Sequence, residues 1–100
     1  MTQATFTLCP HPASEDAGVL AVTGEIDVTN AAEFTSAITS RVDSRPVVID
    51  LSDLHFLDSA GFATLDDLLA RRAITIVIAP HSRLRRAAAL MGLPHHDTVP

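Results

Sequence analysis

The residues best placed to do chemistry are Asp58 and Ser59, in Leu57-Asp58-Ser59-Ala60-Gly61, ahead of a helical pattern of Phe62, Leu65, Leu68 and Leu69. A hydroxyl where a strand's exit loop turns into a helix is exposed while its neighbours stay fixed. The free backbone N–H groups and positive dipole end there favour an added anion. Such a serine either accepts a group from elsewhere or attacks a substrate itself. For attack, a hydrolase elbow wants glycine two residues before the serine, and Leu57 stands there. His55, His81, His95 and His96 are candidate bases, but one hundred residues leave little room for a substrate pocket and an oxyanion hole. The chain therefore reads as a non-enzyme. The plain alternative for Ser59 and Asp58 is a helix cap and nothing more.

Other groups narrow the choice. Glu25 and Asp27, in Gly24-Glu25-Ile26-Asp27, read as an acidic loop, either solvated or touching a partner. Asp50 closes the apolar run Val47-Val48-Ile49 as a phosphoryl-accepting aspartate would, yet the lysine that a receiver domain uses is missing, because the chain contains none. His95-His96 lack further ligands for a metal, and the scattered Gly18, Gly24, Gly61 and Gly92 make no phosphate-cradling loop, so no metal or cofactor is expected. A formal net charge of −5 argues against direct nucleic-acid binding. Cys9 is single, which excludes an internal disulfide and favours a reducing compartment. Residues 1–10 carry no signal-peptide pattern and no run of about 18 apolar residues exists, so no membrane insertion and a cytoplasmic location are expected.

The elements that position these groups follow from patterning. With 47% hydrophobic content, residues 1–100 suffice for one domain with a real core. Residues 5–9 alternate as an edge strand, 10–18 form a turn, and 19–23 form a second strand, ended by Gly24 and paired antiparallel with the first. Asn30 and Glu33 resemble a capping box for a helix over 31–42, with Phe34, Ala37, Ile38 and Val42 on one face; Asp43-Ser44-Arg45-Pro46 closes it. Residues 47–51 read as a strand buried on both faces, 60–72 as a helix capped by Asp58 or Ser59, and 74–79 as another buried strand. Ser82 caps a third helix, with Leu84, Ala87, Ala88 and Met91 inward, Arg83, Arg85 and Arg86 elsewhere on its surface, and Gly92 as a left-handed stop. The tail offers one short edge strand at Thr98 and Val99. The order predicts a small α/β domain, a mixed four- to five-stranded sheet with helices mainly on one face.

Gly24-Glu25-Ile26-Asp27, Val48-Ile49-Asp50-Leu51-Ser52 with Leu57-Asp58-Ser59-Ala60-Gly61, Ala79-Pro80 and Leu90-Met91-Gly92-Leu93 together resemble the STAS family, the anti-sigma-factor antagonist domains. The resemblance implies a partner switch in transcription regulation. The serine matching Ser59 is phosphorylated by an anti-sigma factor that is a serine/threonine kinase; the unmodified form binds that kinase through a surface matching Glu25, Asp27, Asp58, Ser59 and Gly61. The chain departs from the family at Ala70-Arg71-Arg72-Ala73, which lacks the common glycine turn, and it stops at Pro100, where many members add a helix. An alternative within the same resemblance is a scaffold subunit docked on the ATPase of a lipid transporter, acting without a phosphate.

Overall fold

The computed structural model describes residues 3–41 and 45–99. Strand β1 (Phe6–Pro10) turns back on β2 (Val19–Ile26) as the expected antiparallel hairpin, Phe6 opposite Gly24 and Pro10 opposite Leu20. Helix α1 (Ala31–Thr39) leads to β3 (Val47–Asp50), parallel to β2. Strand β4 (Leu54–Leu57) and helix α2 (Ser59–Ala70) follow, then β5 (Ile74–Val77), parallel to β3, and helix α3 (Arg85–Leu90). The sheet runs β1-β2-β3-β5, and β4 pairs with β2 further along the side that β3 occupies.

Strand β4 is the element that sequence patterning missed. Strand β3 pairs with residues 19–21 of β2 and β4 with residues 24–26, so residues 47–57 make one broken strand along the same edge. The pairing skips a residue in β4: Gly24 faces Leu54 and Glu25 faces Phe56, leaving His55 as the extra one. This bulge lets Leu54 and Leu57, three apart, both point inward, and it turns Phe56 out. Alternation of period two is therefore absent, which is why the segment reads as a mere bridge.

One hydrophobic cluster joins Phe34 and Ile38 of α1, Phe62, Leu65 and Leu68 of α2 and Ala88 of α3 to the strands, so all three helices share one side of the sheet. Phe6 meets Phe34 edge-on with ring centroids 5.3 Å apart. Each such side chain contributes about 1.5–3 kcal/mol by leaving water. The other sheet face carries Val48 and Asp50, both half-buried, so β3 alternates and is not buried on both sides as its composition suggests. Among the described residues no helix is long and apolar enough to cross a membrane.

Several expected boundaries shift. Gly24 does not end β2: at φ 97° it lets the chain pass close to the Thr5 carbonyl, which accepts from Glu25 N–H at 2.9 Å, and the strand continues. The Asn30–Glu33 capping box is not formed, because the Asn30 amide is spent elsewhere, and α1 ends at Thr39. Val42, Asp43 and Ser44, assigned to that helix and its exit, lie outside the described residues, as does Pro100. Helix α2 starts at Ser59 with Asp58 as cap, and α3 starts only at Arg85, leaving Met91 exposed rather than inward. The tail meets the sheet at His96, which bridges to Val77, not at Thr98 and Val99. Arg85 fixes that contact by donating to the Ile78 carbonyl at 2.8 Å and pairing with Asp97 at 2.6 Å.

Helices α2 and α3 end alike. After α3, Gly92 at φ 68° and Leu93 donate to the carbonyls of Ala89 and Ala88, the stop expected from the glycine. After α2, Arg72 and Ala73 donate to Leu69 and Leu68 in the same pattern, but the left-handed position, φ 56°, is held by an arginine. An L side chain there is strained by roughly 1–2 kcal/mol, and glycine returns part of that through unfolded-state entropy. Arg72 is exposed. Arg72→Gly is therefore expected to raise stability by about 0.5–1 kcal/mol, read as a higher midpoint in urea unfolding.

Candidate functional site

Strands β2 and β4 run parallel, so both end at the same edge of the sheet, and α1 and α2 both begin there. The carboxyl ends of parallel strands are where open α/β sheets leave a surface for recognition. Ser59 is the first residue of α2 at this edge and is exposed. Its predecessor does the capping: Asp58 Oδ1 accepts from Gly61 N–H at 2.9 Å, while Oδ2 accepts from Val28 N–H at 3.3 Å. One carboxylate thus ties the start of α2 to the loop after β2. The Ser59 hydroxyl has no capping duty.

The loop itself is built from backbone-binding side chains. Asp27 Oδ1 accepts from the N–H of Thr29 at 2.8 Å and from its hydroxyl. Asn30, 1% exposed, accepts from Asp27 N–H at 2.9 Å and donates to the carbonyls of Ala4 at 3.0 Å and Glu25 at 2.9 Å. That is the work that withdraws Asn30 from capping α1. Gly61 is buried, and a side chain there would strike Leu57 while lying 3.1 Å from the Ile26 carbonyl. Gly61, expected at the partner surface, instead lets α2 sit down on the end of β2.

Of the residues expected to form the site, Asp27, Asp58 and Ser59 are brought together by this loop and turn, and Glu25 lies one strand step away, exposed, opposite Phe56. Residues 19–40 and 47–70 contain no arginine or lysine, so Glu25, Asp27, Glu33 and Asp58 make this edge acidic. Among the described residues no histidine hydrogen-bonds to Ser59, and Asp58 is occupied as a cap. The hydroxyl is displayed but not activated from within, which suits accepting a group and does not suit attacking a substrate.

The STAS domain model matches residues 11–98. The chain is 36% identical over 94 residues to "Anti-sigma-F factor antagonist RsfB" of Mycobacterium tuberculosis, in strains CDC 1551 and H37Rv alike, covering 89% of this chain and 75% of the relative. The crystal structure of an anti-sigma factor antagonist from Mycobacterium paratuberculosis superposes with a TM-score of 0.67 at 29% identity, over 97% of this chain and 88% of that one.

Residue 11, where the family match begins, has a role that patterning did not assign. The His11 ring reaches across β2 to Asp50, Nε2 to Oδ2 at 2.7 Å, and its Nδ1 accepts from Ala13 N–H at 3.0 Å. The second bond leaves Nε2 as the protonated nitrogen, so His11 donates to Asp50. Ser52 donates its N–H and hydroxyl to the other Asp50 oxygen and accepts from Ala79 N–H at 2.8 Å. Burial pushes the Asp50 carboxyl up, but the Ser52 hydroxyl and N–H and the His11 ring outweigh it and hold it below the ordinary 3.8. Asp50 is thus a brace joining β1, β3 and the exit of β5. A carboxyl held low stabilises the fold above its unfolded pKa, and that contribution is lost as pH falls through the folded value. Ser52→Ala is expected to cost about 1 kcal/mol at pH 7. In urea titrations the gap between the two proteins should narrow below pH 3.8, leaving the pH-independent share of the Ala79 N–H.

Proposed function

The chain belongs to the STAS domain family, and from that membership we propose that it is an anti-sigma factor antagonist, residues 1–100 acting as one unit in the cytoplasm. The family members are regulatory binding proteins, not enzymes. In this reading the unmodified chain binds an anti-sigma factor that is a serine/threonine kinase, through Glu25, Asp27, Asp58 and Ser59, and thereby frees a sigma factor. Phosphorylation of Ser59 by the same kinase ends the complex. The observation that carries the reading is the exposed, uncommitted Ser59 hydroxyl at a turn that Asp58 and Gly61 hold rigid.

The chemistry is a transfer from ATP. The Ser59 oxygen attacks the γ-phosphorus, the bond from that phosphorus to ADP breaks, and the hydroxyl proton passes to a base on the kinase, since among the described residues no side chain is hydrogen-bonded to Ser59 to take it. The added phosphate carries about −1.5 to −2 charges at a helix N-terminus, where the dipole favours it by roughly 0.3–1 kcal/mol. Neighbouring Asp58 opposes it by a similar surface term, so the fold tolerates the modification. The complex does not, because a partner packed against the Ser59 turn must hold the new charge in a poorly solvated place. A single like-charge pair at ~5 Å with an effective dielectric near 20 costs about 3 kcal/mol, on the order of a hundredfold in affinity.

Incubation of each purified anti-sigma factor kinase of the same genome with this chain and ATP, followed by mass spectrometry, is expected to add one phosphoryl group to Ser59. Ser59→Ala should abolish it, and Ser59→Asp should weaken binding by about ten- to a hundredfold while leaving the melting midpoint within a few degrees. Modification that persists in Ser59→Ala counts against the reading.

A further inference from the structure

Four large apolar side chains stand exposed among the described residues, Leu90 and Met91 at the end of α3 and Val28 and Phe56 at the acidic edge. Single exposed apolar residues are ordinary on protein surfaces. The second pair differs because each is aimed by a specific backbone device. Val28, 75% exposed, sits at the tip of the loop whose N–H is bound by the Asp58 carboxylate. Phe56, 48% exposed, would face inward with Leu54 in a regular strand, and only the bulge at His55 turns it out. It precedes Ser59 by three residues, a span of at most about 11 Å.

We propose that Val28 and Phe56 are the apolar anchors of the partner complex, seated in a recess on the anti-sigma factor whose rim is basic. This rests on the functional reading above and adds its recognition chemistry. The partner's character follows from charge: Glu25 lies opposite Phe56, Asp27 precedes Val28 and Asp58 binds the Val28 N–H, and residues 19–40 and 47–70 contain no arginine or lysine. Anchors in a desolvated centre with charges at the rim are the usual arrangement of a tight interface. Here the arrangement also sets the release step. An apolar seal beside Ser59, with Phe56 three residues before it and Val28 bonded to its neighbour Asp58, excludes the water that would otherwise hydrate the new phosphate, while the basic rim contacts carboxylates and cannot neutralise it.

Isothermal titration of the unmodified chain against the purified anti-sigma factors of the same genome tests this, with Phe56→Thr chosen because threonine keeps strand preference. Phe56→Thr is expected to weaken the dissociation constant by about ten- to a hundredfold and Val28→Ser by several-fold, with melting midpoints near wild type. Phe56→Leu should recover most of the loss. Wild-type affinity should fall steadily as sodium chloride is raised, as a charged rim requires. A wild-type complex that Phe56→Thr and Val28→Ser leave at full strength overturns the anchors, and one indifferent to salt overturns the basic rim. A wild-type chain that binds none of the anti-sigma factors overturns the functional reading, and this inference with it.

Discussion

The Asp58 carboxylate is the bond on which the candidate site depends. Its two oxygens accept from backbone N–H groups of two segments far apart in sequence, Gly61 at the start of α2 and Val28 in the loop after β2. A carboxylate near a helix N-terminus satisfies an orphan donor and meets the favourable end of the dipole. Here it also fixes the distance between the two loops, which no packed side chain could do so near solvent. The constraint needs support from beneath, and Gly61 supplies it by lacking the atom that would collide with Leu57. Ser59, between these two residues, inherits a fixed position without contributing to it. That separation of duties is what permits a modification there without loss of the fold.

The rest of the sheet keeps that corner rigid from a distance. Asn30 sews the N-terminal segment, β2 and the Asp27 turn together through three hydrogen bonds. Asp50 links β1, β3 and the chain leaving β5 through His11 and Ser52. Both are polar groups with low exposure whose partners are all provided, and a satisfied polar network of this kind holds one arrangement where apolar packing alone would allow several. At the opposite side Arg85 draws the tail onto β5.

How much was legible depended on whether a residue acts locally. The serine turn, the parallel strands and the left-handed stop at Gly92 follow from neighbours in sequence, and they were readable. Gly24 was readable as special but not for the right reason: its cause is the approach of Thr5, nineteen positions away in chain order. Asn30 and Glu33 have capping-box spacing, yet the amide finds better partners in Ala4 and Glu25, so tertiary contacts override a local rule. Strand β4 vanished from the pattern because its bulge replaces period two by a spacing of three. Nothing in the residues around His11 points to Asp50, whose proximity exists only once the sheet has formed.

The bulge that hid β4 is also the place where structure and recognition meet. A regular strand would have buried Phe56 beside Leu54 and left Leu57 outside, moving the start of α2 and the Asp58 cap with it. The extra residue at His55 restores Leu57 to the core, where it packs under Gly61, and expels the aromatic ring in the same step. Leaving about half of a ring of that size exposed, 48% for Phe56, forfeits roughly 1 kcal/mol that full burial would have supplied. A cap, a buried glycine and an exposed ring are therefore not three independent features. They are one consequence of a single inserted residue, and a change that regularised β4 would have to dismantle all of them together.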